Sequence, residues 1–110
     1  MWQELRQAKQ IKKEQPFYIN IPAKTIYENA EESENILVQG IIDLYAVDND
    51  DKIILVDYKT DYVEEGNENL LRERYNKQLE LYKKCLEEGL DLEVKEIYIY
   101  SLYLNKEIKL

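Results

Sequence analysis

An α/β fold, with a mixed sheet of about four strands flanked by helices, is what this 110-residue chain predicts. Three observations predict it. Ile36-Leu37-Val38, Ile41-Ile42 and Ile53-Ile54-Leu55-Val56 are nearly continuous apolar runs, the pattern of strands covered on both faces. A long segment from Leu70 to Glu88 places its apolar residues at helical spacing. Read along the chain, the elements fall in the order α-β-β-β-α-β, with no internal repeat and no low-complexity tract.

Each element has a local reason. Trp2 to Lys13 reads as a short polar helix with Trp2, Leu5, Ala8 and Ile11 along one face, closed by Pro16. Phe17 to Ile21 alternates apolar and polar residues, a strand that ends at Pro22. Residues 28–35 are acidic and read as a solvated loop. Ile36 to Val47 is a long strand, Asp48-Asn49-Asp50-Asp51 a turn, and Lys52 to Thr60 the next strand. Asp61 to Asn69 is a polar connection containing Gly66. The helix from Leu70 ends at Glu88, with Gly89 as its C-cap. Val94 to Leu104 is a last strand, with Ile97, Ile99 and Ser101 on one face and Tyr98, Tyr100 and Leu102 on the other.

Composition narrows the chemistry. One domain is expected at this length. A single cysteine, Cys85, excludes an internal disulfide framework and a Cys-rich metal site, and with no histidine to activate it Cys85 reads as a buried helix residue. No apolar run approaches the roughly 20 residues of a membrane span and no signal-peptide pattern opens the chain, so the expected compartment is the cytoplasm. The net charge of −8 is the wrong sign for gripping nucleic acid by bulk charge. Either DNA is not the partner, or a local basic patch holds it while a metal offsets the acidic centre. The absence of histidine removes the commonest transition-metal ligand, so any metal site is oxygen-based and favours Mg²⁺, or Mn²⁺ as its substitute, over zinc.

Asp43 and Asp57 stand where apolar runs switch abruptly to carboxylates. A carboxylate at the edge of an apolar core is costly unless paired or metal-bound. Side chains i and i+2 of a strand share a face, so Asp57 and Lys59 point together and Tyr58 points away. With Asp43 on the neighbouring strand, two carboxylates and an ammonium converge, an arrangement suited to holding a divalent cation for phosphodiester cleavage. Leu71, Tyr75, Gln78 and Tyr82 form one helical stripe, and Arg72, Arg74, Lys77, Lys83 and Lys84 supply positive charge on the same helix. If the stripe borders the carboxylates, Gln78 and Tyr82 hydrogen-bond to a phosphate or to the carboxylates themselves. Taken singly, each residue has a plainer reading: a strand Asp-x-Lys is commonly a surface ion pair, and an aromatic stripe is commonly core.

Gly40-Ile41-Ile42-Asp43, Val56-Asp57-Tyr58-Lys59-Thr60 and Gln78-x-x-x-Tyr82, in this order, resemble the PD-(D/E)XK nuclease superfamily and its RecB-like branch. Glu14-x-Pro16-Phe17, Val38-Gln39-Gly40-Ile41-Ile42-Asp43 and Lys95-Glu96-x-Tyr98 narrow the resemblance to the C-terminal nuclease domain of AddA-type helicase–nuclease subunits. The resemblance covers roughly residues 14–102 and implies a restriction-endonuclease-like core. It implies that Asp43, Asp57 and the backbone carbonyl of Tyr58 ligate Mg²⁺. It implies that Lys59 positions or helps deprotonate the attacking water, and that Gln78 and Tyr82 orient the site or contact DNA. It further implies DNA double-strand-break processing, a helicase motor N-terminal to this segment, and an AddB-type partner subunit. The family carries an upstream helix whose histidine completes the metal site. This chain has no histidine, and the expectation is a single domain over residues 1–110, truncated at its N-terminal side, of a larger helicase–nuclease. Two rivals stand beside this. One is a non-catalytic relic of the nuclease fold that scaffolds its partner or guides a DNA strand. The other is an acidic binding module with an accidental motif, in which Asp43 and Asp57 lie far apart.

Overall fold

In the computed structural model, which describes residues 1–25 and 27–110, two hairpin-linked antiparallel pairs lead into a parallel crossover. The elements are α1 (Trp2–Gln7), β1 (Gln10–Pro22), a 3₁₀ turn (Ala23–Thr25), β2 (Asn35–Val47), β3 (Ile53–Lys59), α2 (Asn69–Leu90), β4 (Val94–Ser101) and β5 (Lys106–Lys109). The strands form one sheet in the order β1-β2-β3-β4-β5. Neighbours are antiparallel except β3 and β4, which run parallel because α2 carries the chain back across the sheet.

The sheet has a core on each face. On one, Leu71, Leu79, Tyr82 and Leu86 of α2 pack with Phe17, Ile19, Ile42, Tyr45, Leu55 and Ile99. On the other, Leu5 of α1 covers Leu44, Ala46, Ile54, Val56 and Tyr98. Burial on both faces holds for the β3 run Ile53-Ile54-Leu55-Val56 and for Leu44 to Val47 of β2, but not for the β2 runs that suggested it: Leu37 and Ile41 stay 64% and 58% exposed, because the outer part of the β1–β2 hairpin is covered on one face alone. No helix among the described residues is long and apolar enough to cross a membrane.

Four expectations are corrected. The first helix stops at Gln7 rather than Lys13, because Gln10 to Lys13 pair with Val47 to Leu44 and backbone hydrogen bonding across the hairpin outweighs the helical spacing. Leu5 is buried, while Trp2 and Ile11 of the supposed stripe remain exposed. Pro16 sits inside β1 opposite Ile41 and terminates nothing; β1 is an edge strand, where a missing N–H is tolerated. Gly89 lies within α2, and the left-handed cap is Asp91 (φ 54°), whose N–H donates to the Glu87 carbonyl. Asp is among the few non-glycine residues that enter this region readily. Finally, the sheet has five strands, not about four. The last strand predicted to Leu104 ends at Ser101, and a turn with Asn105 at φ 55° reverses the chain into β5. Leu102-Tyr103-Leu104 looks like strand because it is apolar, yet Leu102 and Tyr103 project into solvent.

Gly40 shows why the hairpin can approach α2. It pairs with Phe17, whose ring meets Tyr82 edge-on with centroids 5.1 Å apart. A Cβ at Gly40 would lie 3.0 Å from Phe17 Cε1 and 3.1 Å from Cζ. With Tyr82 behind it, the ring has little room to retreat. Gly40→Ala is expected to cost about 1–3 kcal/mol by overpacking, read from urea denaturation. An unchanged midpoint would mean that the ring gives way freely.

Candidate functional site

The sheet forks where the sequence changes from apolar to acidic. The β2–β3 ladder runs from Val47–Ile53 to Leu44–Val56 and goes no further. The next position on each strand is a carboxylate, Asp43 and Asp57, on the α2 side of the sheet. Where the ladder would continue, the Tyr58 N–H donates to Asp43 Oδ2 at 2.9 Å. The side chain of Asp43 thus replaces a strand carbonyl and ties the two arms of the fork together.

Asp57 is only 3% exposed. Lys59 Nζ lies 2.8 Å from its Oδ2 at ion-pair distance, yet no aligned hydrogen bond reaches that oxygen among the described residues. Burial pushes the Asp57 carboxyl up to about 6, a rise that Lys59 opposes and the neighbouring Asp43 carboxyl reinforces. Two neighbouring carboxylates thus share one ammonium, and the site is short of positive charge.

Lys59 is held from three sides. Besides Asp57, its Nζ donates to Gln78 Oε1 at 3.0 Å and sits 4.0 Å from the centre of the Tyr75 ring. The ammonium–ring contact is a cation–π interaction. Gln78 Nε2 donates to the Tyr82 hydroxyl at 3.1 Å. Burial, followed by the charges of Asp57 and Asp43, raises the Tyr82 phenol, which places it against the same acidic centre. The structure therefore brings together Asp43, Asp57, Lys59, Gln78 and Tyr82. Gln78 reaches the carboxylates through Lys59 and not by the direct bond considered from sequence. Tyr58 points to the opposite face, its ring edge-on to Tyr100, as strand alternation requires.

Three neighbours escaped the sequence reading as parts of this site. Tyr75 was visible only as a stripe residue. Asp61 accepts from the Tyr75 hydroxyl at 2.8 Å and pairs with Arg74 at 2.5 Å, which lowers its carboxyl and anchors the ring under Lys59. The signal for it was alternation, since positions 57, 59 and 61 share one face of an extended chain. Glu14 interrupts the β1–β2 ladder opposite Asp43, with φ at 49°, and with Lys13, Asp43, Leu44 and Tyr58 lines a cleft of about 330 Å³. Its signal was its place in the hairpin register. Cys85 is half-buried on α2, and burial raises its thiol, an environment unsuited to a nucleophile.

The donor set suits a hard cation. Two adjacent carboxylates and a strand carbonyl are oxygen ligands of the kind Mg²⁺ and Mn²⁺ take, and among the described residues the buried Asp57 Oδ2 is met by Lys59 Nζ alone, at ion-pair distance without an aligned hydrogen bond. Among the described residues no group of three or more Asp, Glu, Cys or His side chains gathers, so much of any coordination sphere would be solvent or phosphate oxygen.

Comparison with known proteins agrees with this geometry. The sequence profile of the PD-(D/E)XK nuclease superfamily matches residues 1–109. The AddA-type ATP-dependent helicase/nuclease subunit of Thermoanaerobacter sp. (strain X514) is 47% identical over 104 residues, covering 92% of this chain and 8% of the relative. Its counterpart of the same name in Clostridium perfringens (strain SM101 / Type A) is 40% identical over 114 residues, covering all of this chain (100%) and 9% of the relative. That of Clostridium novyi (strain NT) is 38% identical over 110 residues, covering 96% of this chain and 9% of the relative. The chain thus spans less than a tenth of the length of these relatives. An accidental motif is set aside, because the match runs the length of the chain and Asp43 and Asp57 stand together at the fork. The mixed sheet flanked by helices and the ordered motifs describe one protein family: this chain belongs to the PD-(D/E)XK nuclease superfamily.

Proposed function

We propose that this chain is the metal-dependent nuclease domain of a longer helicase–nuclease, hydrolysing DNA phosphodiester bonds as double-strand breaks are processed. The observation that carries the proposal is the fork: a buried Asp57 carboxylate beside a second carboxylate, with one half-buried ammonium between Asp57 and α2 to neutralise them. In this reading Asp43, Asp57 and the Tyr58 carbonyl hold Mg²⁺, with Mn²⁺ as a substitute. The cation, when bound, polarises the phosphate and acidifies a water. Lys59 presents its ammonium to the charge that develops on the phosphate oxygens and helps position the attacking water. Gln78 and Tyr75 fix the direction of that ammonium, and Tyr82 holds Gln78 in turn. The motor would lie N-terminal to this segment in the full polypeptide, and an AddB-type protein would be its partner.

The test is Mn²⁺ binding by calorimetry on this chain beside its Asp57→Asn variant. Saturable binding that vanishes in the variant is the expected result. Affinity is also expected to weaken below about pH 6, where a proton competes for Asp57. If neither chain binds, a chain extended upstream separates the remaining readings. Restored binding there fits a nuclease whose site is completed from outside this segment, and continued silence favours a scaffold that has lost catalysis.

A further inference from the structure

Tyr62 and Tyr103 are among the most exposed large side chains of the molecule, at 66% and 54%. They face each other in solvent, ring centroids 4.8 Å apart and planes at 64°. Edge-to-face pairs of this kind normally belong to cores, where both rings are covered. Here each ring keeps an open face, and among the described residues neither hydroxyl has a hydrogen-bond partner. The pair stands at the active end of the sheet. Tyr62 follows Lys59 by one short step of chain. The Leu102 N–H donates to the Lys59 carbonyl at 2.9 Å, so Tyr103 is one residue from a direct link to the same lysine. Both rings thus spring from the carboxyl ends of β3 and β4, the end that bears Asp57 and Lys59.

We propose that Tyr62 and Tyr103 form a stacking platform for an unpaired base of a DNA strand entering the Asp43/Asp57 fork. The proposal rests on the nuclease reading above and adds to it a subsite and a preference for unpaired DNA. Charge favours stacking over phosphate contacts as the means of holding the strand. The chain carries a net −8, and the nearby cations are already engaged, Arg74 by Asp61 and Lys106 by Glu65 and Glu68. Base–aromatic stacking needs no charge and tolerates any sequence, because every base has a π-face. In a duplex those faces are already stacked on their neighbours, so the platform selects single strands.

The test is fluorescence anisotropy with a labelled oligothymidylate of about 20 nucleotides, longer than one such binding site, and with a duplex of equal length. Ca²⁺ replaces Mg²⁺ as an oxygen-liganded cation. Tyr62→Ala and Tyr103→Ala are each expected to weaken single-strand binding about tenfold, Tyr62→Phe to retain it, and duplex binding to stay unchanged. Both positions are exposed, so the variants are expected to fold. A parallel Mn²⁺ titration reports on the fork separately. Alanine variants that bind the single strand like the parent would overturn the platform while leaving the nuclease reading intact. So would equal losses on single strand and duplex, or no single-strand binding by a parent that binds Mn²⁺. If the variants instead alter self-association in sedimentation, the patch is an interface between copies and the platform fails. A parent that binds neither Mn²⁺ nor strand overturns the platform, and the upstream-extended chain then decides the nuclease reading. A parent that ignores Mn²⁺ yet loses strand binding on Tyr→Ala keeps the platform, and the metal site is decided on the upstream-extended chain.

Discussion

Asp57→Asn is expected to stabilise the metal-free chain at neutral pH while abolishing its response to divalent cations. Asp57 is raised in the folded state to about 6, against an ordinary 3.8, by burial and by Asp43, with Lys59 opposing. Between about pH 4 and pH 6 the folded chain therefore binds more protons than the unfolded chain. The contribution of Asp57 to stability therefore falls as pH rises through that window and remains at the lower level above it. The groups facing Asp57 are Asp43 from β2, Lys59 from its own strand and Tyr82 from α2. The ceiling on the loss is about 3 kcal/mol, from the size of the shift. An asparagine carries no proton to lose, so the difference in melting temperature between variant and parent in EDTA should grow in the variant's favour from about pH 4 to pH 6 and stay constant to about pH 7. Mn²⁺ should then reverse the order, raising the parent and leaving the variant in place, because a ligand stabilises only the state that binds it. Parallel melting-temperature profiles for the two chains would contradict this account of the fork.

Leu79→Ala is expected to be strongly destabilising, at about 2–5 kcal/mol, as is the equally buried Leu71→Ala on the same helix. Leu79 has no exposed surface and lies in the core between α2 and the sheet. A domain of this size has only about 5–15 kcal/mol in total, so the loss should lower the melting temperature by roughly ten degrees or more. The neighbouring Gln78 should loosen with it, weakening the hold on Lys59. Leu70→Ala, at an exposed position on the same helix, is the control and should move stability by about 0.5 kcal/mol or less. Equal effects at the two positions would mean that α2 does not rest on the sheet through Leu79.

What was legible in the sequence was whatever depended on short-range pattern. The continuous apolar runs gave β2 and β3 as strands, and burial on two faces for β3, though not for Leu37 and Ile41 of β2. The i, i+2 rule placed Asp57 and Lys59 together and turned Tyr58 away, and the helical stripe put Gln78 and Tyr82 on one side of α2. Long-range pairing was not legible. Nothing local tells Gln10 to Lys13 that Val47 to Leu44 will pair with them, so a weak helical stripe looked decisive there. β5 was hidden because Lys106-Glu107-Ile108-Lys109 has one apolar residue and its turn relies on Asn105 in place of Gly or Pro. The same limit applied to the site. Tyr75 and Asp61 belong to it only because α2 packs where it does, and Glu14 only because of where the β1 hairpin lies.

The parallel pairing of β3 with β4 gives the candidate site two ages. Asp43 and Asp57 come from strands joined by a turn at residues 48–52, a contact with a small loop-closure entropy, whereas pairing Ile53 with Val94 must wait for the whole of α2 to be ordered between them. By loop length, Asp43 and the buried Asp57 come together early, and the Gln78 and Tyr75 contacts to Lys59 form late. The carboxylates and their ammonium thus belong to one local hairpin, and what the slower, non-local part of the fold adds is the direction in which the ammonium is held.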